Sequence, residues 1–181
     1  MNASKSAQLI MDWYNANQNG KSTLVFKPVQ DTRSTNVTSR AIKTEIPAKN
    51  VHPSDYNYMY QLALINMPRI IFVDEVNFFT ASQIEELARI VDDIGVTVIA
   101  YGLMTSFKGE MFAGSKRLVE LADVVERVRS ECTKCHKEGI MNARFENGVI
   151  QTGGALISIG AEESYQVLCR KCYDTQIKLK G

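Results

Sequence analysis

The chain has 181 residues, 45% of them apolar, with 21 basic and 20 acidic side chains and a formal charge of +1. That length suits one medium domain or a domain with a small appendage, and the near-even charge argues against a dedicated nucleic-acid binder. No apolar run approaches the ~20 residues of a bilayer span, and the first ten residues lack a basic region followed by an apolar stretch, so the expectation is a soluble, cytoplasmic protein with neither nucleic acid nor membrane as partner.

In chain order, a helix is expected over residues 6–17, with Leu9, Ile10 and Trp13 on one face. Thr23–Phe26 follows as a short β-branched and aromatic run, the pattern of a buried parallel strand. Residues 55–66 carry Tyr56, Met59, Tyr60 and Ala63 at helical spacing, and Ile70–Val73 is a second strand. The clearest helix covers 81–94. Thr80 and Gln83 form a capping-box pattern, Ile84, Leu87, Ala88 and Val91 repeat at the helical period, and Gly95 stands where a C-terminal cap belongs. Val96–Ala100 is a third strand, and a further helix is expected over 113–122. Strands alternating with helices predict an α/β domain around a mainly parallel sheet, whose ligands sit where strand tips lead into helices.

The texture changes near residue 128, where helical periodicity fades. Ala143–Phe145 and Val149–Gln151 flank Asn147-Gly148, a strong hairpin signal. The expected division is therefore an α/β domain over 1–128 and a small β-rich module over 129–181.

All four cysteines fall in that module, as Cys132-x-x-Cys135 and Cys169-x-x-Cys172. Two such turns can present four thiolates to one point, the coordination that structural zinc prefers. Four reduced cysteines packed as small hydrophobes, or a redox dithiol, are the other readings. The stretch from Cys135 to Cys169 exceeds ordinary ribbon spacing, so the insert needs another task. His136 beside the site and His52 in a Pro-containing loop read as ordinary surface histidines.

Two further segments carry chemistry. Lys5-Ser6 stands ahead of an amphipathic helix, as the end of a phosphate-binding loop does: backbone N–H groups and the helix dipole hold phosphates, lysine neutralises them and the hydroxyl meets magnesium. Ile70–Val73 runs straight into Asp74-Glu75, which places carboxylates at a buried strand tip beside such a site.

Together these segments resemble the type II thymidine kinases, the zinc-containing P-loop family, over nearly the whole chain. Met1-Asn2-Ala3-Ser4-Lys5-Ser6 is similar to that family's Met-Asn-Ala-Gly-Lys-Ser loop, and Lys27–Arg33 to its Asp-x-Arg segment. Phe72–Phe79 is similar to its Asp-Glu-x-Gln-Phe motif, with Asn77 in place of glutamine. Tyr101–Phe112 resembles its Tyr-Gly-Leu-x-Thr-x-Phe-x-Gly-x-x-Phe run, and Ile159–Tyr165 its nucleoside-enclosing lasso.

The resemblance implies a P-loop NTPase-like parallel sheet with helices on both faces, plus a small zinc-ribbon and lasso module. It implies ATP-dependent phosphorylation of thymidine, and of deoxyuridine, at the 5′-hydroxyl. Glu75 would be the general base. Asp74 and Ser6 would organise Mg2+, and Asn2, Ala3, Ser4, Lys5, Ser6 and Arg33 would contact the phosphates of ATP. Met1, Phe78, Leu103, Phe107, Phe112 and Tyr165 match positions that enclose the thymine, with Ile157, Ile159 and Gly160 in the lasso. Cys132, Cys135, Cys169 and Cys172 would hold structural Zn2+. A homotetramer inhibited by dTTP is the further expectation.

Two departures stand out: Ser4 replaces the glycine before the lysine, and Ala161 replaces a second lasso glycine. By the same resemblance the chain is expected to begin inside the phosphate loop, without the strand that would feed that loop at the centre of the sheet. These points motivate the alternative of a non-catalytic or impaired remnant that keeps nucleoside binding and the zinc module.

Overall fold

The computed structural model describes residues 4–29, 35–39, 41–156 and 165–180, with only the backbone of Ser4 and Lys180. The chain divides into two compact units. Among the described residues, one holds those from Ser4 to Met104 together with Phe112–Val125; the other holds Thr105–Met111 together with those from Glu126 onward.

The first unit begins with helix α1 (Ser4–Gln18), then strand β1 (Thr23–Pro28). A short antiparallel hairpin follows, β2 (Val37–Ser39) with β3 (Thr44–Ile46), and then β4 (Lys49–Val51), α2 (Tyr58–Asn66) and β5 (Ile70–Val73). A 3-10 turn over Val76–Phe78 leads to α3 (Ala81–Arg89), a π-helical turn over Ile90–Ile94, β6 (Thr97–Ala100) and α4 (Ala113–Leu121). The main sheet among the described residues is fully parallel, in the order β4-β1-β5-β6.

Strand residues alternate between two apolar layers, as the two-residue period of a sheet requires. Phe26, Ile71 and Val73 face one layer with Met59 and Ala63 of α2 and Ile84 and Leu87 of α3. Val25 and Phe72 face the other with Leu9 and Ile10 of α1 and Val37 and Ile46 of the hairpin. Helices thus cover both faces, as expected for a parallel sheet. Each large apolar side chain buried in this way contributes about 1.5–3 kcal/mol.

The Thr80–Gln83 capping box forms with both of its hydrogen bonds, and Gly95 closes the helical segment at φ 75°. The helix expected from residue 55 starts three residues later. His52 and Asp55 close a turn on each other, Asn57 takes a left-handed φ of 55°, and Tyr56 is left exposed ahead of the helix. Asn57 offers α2 no side-chain cap; Glu86 of α3 instead accepts from the Tyr60 N–H at 2.8 Å. Burial raises the Glu86 carboxyl above its usual range, with that N–H opposing.

In the second unit β7 (Met141–Glu146) pairs antiparallel with β8 (Val149–Gln151) and β9 (Tyr165–Leu168). Asn147 and Gly148 both take positive φ, as a tight hairpin turn demands. The chain then forms α5 (Arg170–Lys180), where no helix was expected. Its only apolar anchors are Tyr173, Ile177 and Cys172, packed with Cys132, Ala143, Phe145, Ile150 and Leu168. No helix among the described residues is long and apolar enough to cross a membrane.

Candidate active site and metal centre

The parallel sheet brings its carboxylates to a tip beside the start of α1. Asp74 follows β5 directly, and its N–H donates to the Phe26 carbonyl at 2.9 Å, which extends the β-pairing by one residue. The Ser6 hydroxyl donates to Asp74, at 3.2 Å to Oδ2 and 3.5 Å to Oδ1, across 68 residues of sequence. A hard dication bound octahedrally at 2.0–2.1 Å sets adjacent oxygens about 2.9 Å apart, and this hydroxyl–carboxylate pair offers two oxygen donors near that spacing.

Asp74 is 4% exposed, and Glu75 is 7% exposed. Burial, reinforced by the Glu75 charge, pushes the Asp74 carboxyl up from 3.8 to about 6, against the pull of the Glu75 N–H, Ser6 and Lys5. The folded protein therefore binds this proton more tightly than the unfolded chain does. Its contribution to stability is fully present below about pH 4 and is lost as pH rises through about 6. The loss amounts to about 3 kcal/mol. In magnesium-free buffer at pH 8, Asp74→Asn is expected to be stabilised by up to ~3 kcal/mol in urea denaturation, a gain that disappears near pH 4. Equal stability at both pH values would show that Asp74 is not strained by its burial.

Glu75 sits in the left-handed region, at φ 47° and ψ 40°, uncommon for a residue with a long side chain. The turn after it is gripped from two sides. Val76 N–H donates to the Tyr101 carbonyl at 3.0 Å, and Asn77 Oδ1 accepts from the Leu103 N–H at 2.9 Å. Ser115 of α4 donates to the Leu103 carbonyl at 2.6 Å. Such close approach needs glycine on both flanks. A Cβ at Gly102 would lie 2.8 Å from Val76 Cγ1, and one at Gly114 would lie 2.6 Å from the carbonyls of Val76 and Phe79.

Of the residues proposed to enclose the nucleoside, Phe78 and Phe112 meet edge-on, with ring centroids 5.7 Å apart, and Leu103 is held by the Asn77–Ser115 grip. Phe107 and Tyr165 belong to the second unit. There Phe107 is buried with the Arg144 guanidinium 5.4 Å from its ring centroid, and Tyr165 opens β9. Burial raises the Tyr165 hydroxyl, with Arg144 opposing. Met1, Asn2, Ala3, Arg33, Ile157, Ile159 and Gly160 lie outside the described residues, as does the side chain of Ser4. Sequence reasoning did not single out Ser115, and it noted Asn77 only as a departure from a motif. Neither carries a signal until the fold sets it against residue 103.

The four cysteine sulfurs lie within 4.8 Å of one another, and Cys135 and Cys169 are 3.7 Å apart. Zinc–sulfur bonds of about 2.3 Å in a tetrahedron set sulfurs ~3.8 Å apart, so the cluster could hold a metal such as zinc. Burial opposes ionisation of Cys132, yet the N–H groups of Cys169, Lys134 and Cys135 bring its thiol down to about 6. Cys135 and Cys169, by contrast, push Cys172 up to about 12. A dication bound among the four sulfurs would hold them as thiolates. His136 stays at the surface, its Nδ1 3.8 Å from a carboxylate oxygen of the exposed Glu131, and His52 is exposed too.

A sequence profile of the thymidine kinase family matches residues 1–173. The thymidine kinase of Enterobacteria phage T4 is 40% identical over 189 aligned positions, covering 100% of this chain and 95% of the relative. That of Rhodopirellula baltica is 36% identical over 94% of this chain and 82% of its own length. That of Streptococcus agalactiae serotype Ia is 33% identical, over 96% and 92% respectively.

Proposed function

The chain belongs to the thymidine kinase family, and we propose that it transfers the γ-phosphoryl group of ATP to the 5′-hydroxyl of thymidine, giving dTMP for deoxynucleotide salvage. Deoxyuridine, which lacks only the thymine methyl, is the second substrate. The observation that carries this reading is the buried Asp74-Glu75 pair at the tip of β5 with the Ser6 hydroxyl on Asp74. The alternative of a non-catalytic remnant is not favoured: the family match runs through residue 173, and Lys5, Ser6, Asp74 and Glu75 are all in place.

In this reading Glu75 accepts the proton of the attacking 5′-hydroxyl. Asp74 and Ser6 would hold Mg2+, which when bound would offset charge on the phosphates of ATP. Lys5 balances charge on the phosphoryl group in flight, and the first N–H groups of α1, with Asn2, Ala3 and Ser4, cradle the ATP phosphates, joined by Arg33. Phosphoryl transfer asks little covalent chemistry of a protein, so catalysis rests on such placement. Phe78, Leu103, Phe107, Phe112 and Tyr165 enclose the thymine with Met1, Ile157, Ile159 and Gly160. The four cysteines would hold structural Zn2+. We propose that the first unit is the kinase domain and the second the zinc and lasso module, in a cytoplasmic homotetramer inhibited by dTTP.

Incubating the purified chain with labelled thymidine, ATP and magnesium should yield labelled dTMP, and omission of magnesium should abolish it. No product from active-site-titrated, zinc-replete protein would refute the activity.

A further inference from the structure

The run Thr105–Met111 makes its own small turn. Thr105 pairs with Met111, Ser106 N–H donates to the Glu110 carbonyl at 2.8 Å, and Gly109 N–H to the Ser106 carbonyl at 3.1 Å. A turn this short has no core, so its shape depends on what holds it. Two side chains of the cysteine-bearing unit take hold of its backbone. The Tyr173 hydroxyl donates to the Phe107 carbonyl at 2.5 Å in a buried bond, and Asn142 Nδ2 donates to the Thr105 carbonyl at 2.9 Å. The Arg144 guanidinium lies over the Phe107 ring, and a Cβ at Gly109 would lie 3.3 Å from the methyl of Met141. Tyr173 is 5% exposed, follows Cys172 directly and packs in one cluster with Cys132, Cys169 and Cys172.

We propose that Tyr173 and Asn142 are positioning residues for the nucleoside: they tie the backbone of Thr105–Met111, and with it Phe107, to the cysteine centre, so that thymidine affinity depends on that centre through two hydrogen bonds. The proposal rests on the reading of Phe107 as part of the thymine enclosure. Neither side chain has a task in phosphoryl transfer itself. Their loss alters where Phe107 stands, and the phosphate machinery around Asp74 is untouched. A buried carbonyl stripped of its donor costs about as much as a tenfold change in an equilibrium constant.

Tyr173→Phe removes one oxygen and keeps the packing of the ring. The expected result is a thymidine KM raised about tenfold, with kcat within about twofold and the ATP KM unchanged. Hydrogen exchange adds a readout that needs no substrate. Amides of 105–111 should exchange faster in Tyr173→Phe, while those of α3 keep their protection and the zinc content stays the same. Asn142→Ala, on a different element, should show the same pattern and serves if the tyrosine variant folds poorly. Unchanged protection of 105–111 in both variants would overturn the anchoring, as would equal losses in kcat and in both KM values, which indicate general damage. Absence of thymidine turnover in the unaltered protein would instead overturn the nucleoside reading, and the proposal with it.

Discussion

Glu75→Gln should lower kcat for thymidine phosphorylation by 10²–10⁴-fold, the usual worth of a positioned general base, with thymidine and ATP KM values changed by less than about threefold. The amide has the shape of the carboxyl and keeps its acceptor oxygen, but it cannot take the proton of the 5′-hydroxyl. Stability should not fall, because glutamine matches glutamate in shape and fills the same site, only 7% exposed. Turnover near the normal rate in a fully folded Glu75→Gln protein would eliminate Glu75 as the base.

The backbone explains why this residue is placed with such insistence. A left-handed glutamate costs about 1 kcal/mol or more and persists only where its surroundings hold it. Here Val76 and Asn77 are bonded to Tyr101 and Leu103, Ser115 holds the far side of Leu103, and Gly102 and Gly114 let those segments close in. The same contacts that fix Glu75 therefore also fix Leu103, a residue of the proposed thymine enclosure. The proposed base and the proposed substrate wall thus share one brace.

Legibility in the sequence followed the strength of local signals. Ile70–Val73 announced itself as a four-residue apolar run, and every one of its residues faces an apolar layer. β4 did not, because Lys49–Val51 is three residues long with only Val51 buried at the sheet edge. α5 was hidden because its sequence is mostly polar and its first turn carries Cys172, just after Cys169, whose metal chemistry dominated the reading. At the site, Asp74-Glu75 and the cysteine pairs were legible as patterns of adjacent residues. The Ser6–Asp74 bond spans 68 positions and the Tyr173–Phe107 bond 66, and no local pattern encodes such meetings. Only the resemblance to known kinases joined the first pair before the fold did. Nothing joined the second.

Removal of metal should have the largest effect of all. Among the described residues, one apolar cluster of the second unit buries Cys132, Ala143, Phe145, Ile150, Leu168 and Tyr173, of which Cys132 is a thiol ligand candidate and Tyr173 that ligand set's neighbour. A core this small is marginal by itself, whereas a four-thiolate zinc site supplies on the order of 10 kcal/mol of folding free energy. Metal analysis should give about one zinc per chain. Stripping it with a strong chelator at neutral pH should abolish hydrogen-exchange protection in β7, β9 and α5 and in Thr105–Met111, while α3 and β5 stay protected. Cys172→Ser should reproduce this pattern without chelator. Thiol titration of the denatured, chelated protein should find all four cysteines reduced, which separates a metal centre from a redox dithiol. If the metal-free chain instead kept its protection, the sulfurs would have to be held by packing alone.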